Sequence, residues 1–202
     1  MMNSREIVQF GHPVLRSTAA EVLEFNSALQ ELSQQMQFIV DDIPALGLAA
    51  PQLTVPKQVL VARLNNEQLQ TFVNPKIINY GSEQDIVEET CLSLPQEISL
   101  EIQRSTEITL QAQDLNGRIL EYEASGREAR VLQHEVDHLQ GKLIFDRLDK
   151  AQRRQALKKI RNIMLGSWSE WLKLFSSLCR WSQGIKERLA QVLEIARSQS
   201  FN

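Results

Sequence analysis

The chain of 202 residues has little cysteine, no long apolar run and no apolar segment near its N-terminus. Its two cysteines, Cys91 and Cys179, lie far apart, which argues against a disulfide framework and for a reducing compartment. No window approaches the ~18 consecutive apolar residues of a membrane span. The opening MMNSREIVQFGHP also lacks the apolar core of a signal peptide. We therefore expect an ordinary cytoplasmic protein, 43% apolar and 23% charged.

The net charge of −3 conceals an asymmetry along the chain. Residues 150–202 contain 11 basic and 3 acidic residues, a balance of +8, whereas residues 1–149 contain 11 basic and 22 acidic residues, a balance of −11. All three tryptophans lie in SWSEWLKLFSSLCRW (167–181). This composition predicts contact between the C-terminal part and an anionic partner, either nucleic acid or a membrane surface. Packing on the rest of the chain or in a dimer is the alternative.

Hydrophobic patterns predict the secondary structure of the acidic part. FNSALQELSQQMQFIVDD (25–42) has helical spacing behind a cap at Asn26 or Ser27, and KQVLVARL and TFVNPKIINY are typical of strands. Apolar and polar residues alternate on both sides of Asn116-Gly117 in STEITLQAQDLNGRILEYEA (105–124). This pattern predicts a hairpin with a two-residue loop. Ser125 then caps a helix that ends near Gly141. We expect an α+β domain of antiparallel sheets around this central helix, spanning residues 1–149, with a helical C-terminal extension over 150–202.

The central helix carries His-Glu-x-x-His, formed by His134, Glu135 and His138. On a helix the two imidazoles lie one turn apart and point the same way, with the glutamate beside them. Such a pair commonly binds zinc or a related metal. Two histidines are only part of a catalytic metal site, which usually has three protein ligands and one open position.

The residues alone leave the third ligand open. In one branch of metalloproteases the motif continues to a third histidine, but Ile144 stands at that position here. Another branch uses a glutamate further on, and Glu170 is available without a recognisable surrounding motif. Upstream, Cys91 offers a soft thiolate that suits Fe²⁺, Zn²⁺ or Co²⁺.

Three segments resemble the signature motifs of the peptide deformylases, in that family's order and at its usual spacing. They are ALGLAAPQ (45–52), ETCLS (89–93) and QHEVDH (133–138), and IVQFGHPVLR and VNPKI resemble the family as well. The likeness covers roughly residues 5–149. It implies a hydrolase that removes the N-formyl group from the formyl-methionine of newly made polypeptides and releases formate. It also implies one divalent metal, Fe²⁺ in the cell, with Zn²⁺, Ni²⁺ or Co²⁺ as replacements.

The resemblance assigns roles by position in this sequence. The implied metal ligands are Cys91, His134 and His138. The implied catalytic residues are the proton carrier Glu135 and two oxyanion donors, the Gln52 side-chain amide and the Leu92 backbone N–H. The implied substrate-facing residues are Gly47 and Thr90. Behind the ligands we expect Asp137 with Arg104 as its partner, while Glu89 is expected only to place its loop.

The match departs from the family pattern at two glycines, replaced here by Ala45 and Thr90. If the second glycine requires positive φ, a threonine there is strained by about 1–3 kcal/mol. Two rival functions stay open. One is a metalloprotease, based on the His-Glu-x-x-His motif, and the other is a deformylase-like protein with weak or lost catalysis that binds the ribosome or a membrane, which Thr90 and the C-terminal part favour. The expected partners of an enzyme are N-formylmethionyl nascent peptides and the ribosome, contacted through the basic C-terminal helix. The oligomeric state is left open.

Overall fold

The computed structural model describes residues 7–178, and the side chains of residues 7–166. The helices are α1 (Ser27–Asp42), α2 (Gly126–Leu139) and α3 (Lys150–Leu178). The strands are β1 (Gly47–Ala49), β2 (Val59–Arg63), β3 (Leu69–Tyr80), β4 (Gln84–Glu89), β5 (Leu100–Ser105), β6 (Glu107–Gln113) and β7 (Ile119–Ser125). Short 3-10 turns span Pro13–Arg16, Ala50–Leu53 and Ile144–Arg147. The predicted α+β class is confirmed.

The strands form two antiparallel sheets. Five strands pair in the order β1-β2-β3-β6-β7, and β4 pairs with β5 in a separate two-stranded sheet. The hairpin predicted around Asn116-Gly117 joins β6 to β7, but its loop is longer than two residues. The Asp114 N–H bonds the Arg118 carbonyl, and the Asp114 carboxylate accepts the N–H groups of Asn116 and Arg118. A three-residue loop with Gly117 at φ +81° results, as in a hairpin with a bulge.

Helix α1 begins as its sequence predicts. The Asn26 side chain accepts the Leu29 N–H at 3.2 Å and satisfies a donor of the first turn. Met36, Ile39 and Val40 are fully or almost fully buried. They belong to a core that also contains buried residues of β1 and β2, so α1 covers one side of the five-stranded sheet.

Helix α2 packs against the same sheet through a second core. Its apolar residues there are Ala129, Val131, Leu132, Val136 and Leu139. Ser125 lies at the N-cap position, but its side chain makes no capping hydrogen bond. Gly141 has φ +69°, and a Cβ there would lie 2.8 Å from the backbone carbonyl carbon of Arg16. The glycine therefore ends the helix and admits the N-terminal segment beside it.

Helix α3 begins at Lys150 and buries Ala156 and Ile160. It continues past Gly166 as far as Leu178. The chain divides into two compact units, Met1–Ile160 and Arg161–Asn202, and the predicted boundary at residue 149 stays a prediction. The side chains of the tryptophan-rich segment (167–181) lie outside what the structure describes. None of the helices described has the length and apolar character needed to cross a membrane.

Candidate metal centre

Three side chains that could hold a metal converge where β4 ends beside helix α2. The Cys91 thiol and one ring nitrogen each of His134 and His138 lie within 4.8 Å of one another. Cys91 follows β4 at a distance of two residues, and the histidines lie one turn apart on α2. A thiolate with two imidazoles suits a divalent transition metal, and three protein ligands leave a coordination position open. The donor set therefore fits a catalytic metal ion.

A buried carboxylate orients the ring of His134. Nδ1 of His134 lies 3.0 Å from Oε2 of Glu89, so a proton on Nδ1 is shared with the carboxylate and Nε2 is left for a metal. Burial acts to raise the pKa of Glu89, but hydrogen bonds from His134 and Arg104 outweigh it and bring that pKa to about 2. Glu89 is thus a carboxylate at neutral pH, in direct contact with a candidate ligand. Glu89 was expected only to place its loop, and the structure adds this contact with His134.

The pKa values of the two histidines shift in opposite directions. Burial opposes a proton on His134, but hydrogen bonds with Cys91 and Glu89 outweigh burial and raise the His134 pKa well above its usual value. Burial lowers the pKa of His138 well below its usual value, and the neighbouring His134 adds to that effect. Nε2 of His138 lies 3.3 Å from Sγ of Cys91. The neutral form of His138 is the one that binds metals.

Glu135 lies on α2 between the two histidines and is 4% exposed. Its Oε2 is buried without a hydrogen-bond partner among the described residues. Burial raises the Glu135 pKa to about 7. A carboxyl group with such a pKa can take up and return a proton near neutral pH.

Gly47 faces Glu135. A Cβ added to Gly47 would lie 2.7 Å from Oε1 of Glu135, closer than two such atoms can approach. The family resemblance implies that Gly47 faces the substrate, and this stays a prediction. What the structure shows is that this glycine makes room for the glutamate carboxylate, which the sequence pattern did not reveal.

Gln52 and Leu92, the predicted oxyanion donors, belong to separate segments, Gln52 to the 3-10 turn Ala50–Leu53 and Leu92 to the turn after β4. Oε1 of Gln52 accepts the Ala49 N–H at 2.8 Å, so the amide orientation is fixed by backbone. Its Nε2 therefore presents the donor side and bonds Oγ of Ser93 at 3.2 Å, with a second hydrogen left to donate. No acceptor in the described part of the chain takes the Leu92 N–H, while the Leu92 carbonyl accepts from Gln9. Both groups can donate to a substrate oxygen.

Asp137 and Arg104, predicted to stand behind the ligands, lie in a buried ion network. Arg104 donates from Nη1 to Oδ2 of Asp137 at 2.9 Å. It also holds Glu89 in a two-pronged contact, Nε to Oε1 at 2.6 Å and Nη2 to Oε2 at 3.0 Å. Arg147 donates to both oxygens of Asp137, and Arg130 donates to Glu89 at 2.6 Å. Sequence reasoning missed Arg130 and Arg147, because arginines on a helix and in a short turn carry no motif that distinguishes them.

Neither departure from the family pattern strains the backbone. Thr90 is exposed, and the described non-glycine residues with positive φ are Thr54, Glu67 and Asn74. The strain considered for Thr90 is therefore absent, and with it the one feature of the core that favoured a non-catalytic module. Ala45 is 8% exposed and joins the core under α1.

The family model of polypeptide deformylase matches residues 4–154 of the chain. A peptide deformylase of Thermotoga neapolitana is 39% identical over 154 residues, which cover 76% of this chain and 93% of that protein. A peptide deformylase of Novosphingobium aromaticivorans is 34% identical over 185 residues, and the match covers 80% of this chain and 98% of that protein.

Solved structures give the same result. The crystal structure of peptide deformylase from Thermus thermophilus superposes with a TM-score of 0.73 at 35% identity, covering 78% of this chain and 93% of that one. The peptide deformylase of Thermotoga maritima superposes with a TM-score of 0.68 at 39% identity, covering 71% of this chain and 96% of that one.

Proposed function

Because this chain belongs to the polypeptide deformylase family and is an enzyme of the hydrolase class, we propose that it removes the N-formyl group from formyl-methionine at the start of newly made polypeptides. The products are formate and a free methionine amino group. The observation that supports this most is the meeting of Cys91, His134 and His138 beside the buried Glu135. Residues 1–149 form the catalytic part in this proposal, residues 150–202 an extension, and the enzyme works in the cytoplasm.

Cys91, His134 and His138 would hold one divalent metal, Fe²⁺ in the cell, with Zn²⁺, Ni²⁺ or Co²⁺ as replacements. When bound, such a cation acts as a Lewis acid and lowers the pKa of water toward neutrality. The buried setting of these donors strengthens electrostatic interactions because little solvent screens them. Glu89 fixes the His134 ring, so that the ligand does not reorient when metal binds.

Glu135 carries the proton in the proposed reaction. It accepts a proton from the water that attacks the formyl carbon, and it delivers that proton to the amine nitrogen as the C–N bond breaks. Its pKa of about 7 suits both transfers. One water is consumed, and its oxygen leaves in formate.

Gln52 and Leu92 stabilise the oxyanion that develops on the formyl oxygen. One such N–H donor is commonly worth ~3 kcal/mol of transition-state stabilisation. Gly47 and Thr90 are the proposed substrate-facing residues. Thr90 is exposed and does not strain its own backbone.

The basic face of α3 is the proposed ribosome contact. Its exposed cations include Lys150, Arg153, Arg154, Lys158 and Lys159. Phosphate contacts by such residues are strongly salt-dependent. Charge reversal at Lys158 and Lys159 should weaken co-sedimentation with ribosomes, whereas unchanged co-sedimentation would remove this face from the proposal. Membrane contact of the tryptophan-rich segment stays a prediction.

Formate release tests the reaction. The protein is prepared anaerobically with Fe²⁺ and given a formyl-Met tripeptide, with the acetyl-Met tripeptide of the same sequence as matched substrate control. We expect turnover of the formyl peptide only, and its loss in Glu135→Gln and Cys91→Ala. The absence of turnover from fully metal-loaded protein, or turnover that survives Glu135→Gln, would refute the proposed reaction.

A further inference from the structure

Arg130 joins three elements around the metal centre with a single guanidinium group. From α2, its Nη1 donates to Oε1 of Glu89 at 2.6 Å and to the Ile102 carbonyl of β5 at 2.9 Å. Its Nη2 reaches Asp85 on β4, both at the carbonyl, 3.3 Å away, and at the carboxylate. The Arg130 side chain is 12% exposed and that of Asp85 is 46% exposed, so the network runs from solvent to the buried Glu89.

This arginine links the two segments that carry the candidate metal ligands. Strand β4 ends at Glu89 and leads directly to Cys91, whereas His134 and His138 belong to α2. The sheet of β4 and β5 has only two strands, and such a ribbon is marginally stable unless it packs on something else. Arg130 ties both of its strands to α2 by charge-assisted hydrogen bonds, which are stronger than neutral ones.

Arg130 also lies on the same face of α2 as His134. The two residues are four apart on α2 and therefore neighbours on one face of the helix. Glu89 joins them, since its Oε1 accepts from Arg130 and its Oε2 lies 3.0 Å from Nδ1 of His134. Arg104 grips the same carboxylate from β5, within the ribbon that carries Glu89. Arg104 bonds Glu89 from the neighbouring strand and reaches α2 at Asp137, whereas Arg130 bonds Glu89 from α2 itself, one turn before His134.

We propose that Arg130 is a positioning residue of the metal centre, which holds His134 in place through Glu89. Its loss should lower the affinity of the site for the metal. The inference rests on the metal site of the proposed function and adds a residue to which neither the motifs nor the family match assigns a role. Outer residues of this kind commonly change metal affinity 10–100-fold.

Cobalt binding tests the inference without any measurement of deformylation. Metal-free protein is titrated with Co²⁺ against a chelator, and affinity and visible spectrum are recorded for wild type, Arg130→Met and Arg130→Lys. Arg127→Met is the matched control, because Arg127 lies on the same helix and pairs with Glu67 at the surface. We expect Arg130→Met to lower Co²⁺ affinity 10–100-fold, Arg130→Lys to lower it less but by more than twofold, and Arg127→Met to leave it within about twofold.

A double variant separates positioning from general stabilisation. If Arg130 acts through Glu89, Arg130→Met should add less than about twofold to the loss of Co²⁺ affinity already caused by Glu89→Gln. Full additivity of the two losses, or Co²⁺ affinity of Arg130→Met within twofold of wild type, would overturn the inference. If Arg130→Met does not fold, Arg130→Lys decides by the same two criteria. Failure of the wild type itself to bind Co²⁺ would refute the metal site and this inference together, whereas normal Co²⁺ binding without formate release would refute only the reaction.

Discussion

The two faces of helix α2 are buried against different kinds of side chain, apolar on one side and charged on the other. One face packs Leu132 and Val136 into the apolar core of the five-stranded sheet. The other turns His134 and Asp137 toward β4 and β5, where carboxylates and arginines meet in a buried network. Both faces are inaccessible to solvent for most of their length.

The two faces differ in how precisely their contacts fix the positions of side chains. Apolar contacts are non-directional, and a core tolerates changes that keep volume and pattern. Buried ion pairs are directional and add little net stability, yet removing one partner leaves an uncompensated charge. We conclude that the apolar face holds the helix on the sheet, while the polar face sets the position of the metal ligands.

The largest effect is expected on the polar face. Arg104→Met removes the cation between Glu89 and Asp137 and should lower the free energy of unfolding by about 3–5 kcal/mol, because two buried carboxylates each lose a partner. It should also lower the Co²⁺ affinity of the folded protein. Urea unfolding and Co²⁺ titration measure the two effects. A stable protein with wild-type Co²⁺ affinity would contradict the role given to this network.

A truncation on the apolar face should separate stability from metal binding. Leu132→Ala should lower the free energy of unfolding by about 2–5 kcal/mol, since this side chain is fully buried, and leave the Co²⁺ affinity of the folded protein unchanged. Leu23→Ala is the matched control, because Leu23 is 80% exposed and its loss should change stability by less than about 0.5 kcal/mol. A marked loss of Co²⁺ affinity in Leu132→Ala would show that the two faces are not separable.

A change at the glycine beside the base should affect turnover more than stability. Gly47→Ala places a methyl group against the Glu135 carboxylate and should lower kcat about 100-fold by displacing the base. Gly166→Ala serves as control, since a Cβ there meets nothing within 4 Å. Steady-state kinetics on the formyl peptide, together with Co²⁺ affinity, test this. An unchanged kcat would mean that the carboxylate has room to move without loss of function.

The smallest effect is a dependence of metal affinity on pH. Because hydrogen bonds to Cys91 and Glu89 raise the pKa of the buried His134, the metal-free ring carries a proton that an incoming metal must displace. Rising pH removes this competition, so Co²⁺ should bind about tenfold more tightly per pH unit for each proton released. Chelator competition between about pH 6 and pH 8 measures the slope. Affinity independent of pH in that interval would contradict the proton on His134.

Short-range features of the molecule follow from sequence. The Asn26 cap, the helix with His-Glu-x-x-His and the β6–β7 hairpin depend on neighbours in the chain, and each is predictable from its pattern. The hairpin loop was misjudged because the Asp114 side chain bonds two backbone N–H groups and favours a longer turn. The family resemblance supplied the pairing of Asp137 with Arg104, which periodicity alone does not give.

The remaining features depend on contacts between distant segments. Glu89 and Arg130 are 41 positions apart, and no local pattern indicates that they meet. Gly47 faces Glu135 for the same reason, so its role beside the base emerges only from the folded chain. The absence of backbone strain at Thr90 likewise follows only from its φ angle, which composition and motif spacing do not give.

The central claim is that the third metal ligand is Cys91, upstream of the helix, and the absorption spectrum of the Co²⁺-loaded protein tests it most directly. We predict one Co²⁺ per chain with a sulfur-to-cobalt charge-transfer band that disappears in Cys91→Ser and persists in Glu170→Gln. A spectrum that Cys91→Ser leaves unchanged, or a site that Glu170→Gln abolishes, would contradict the account.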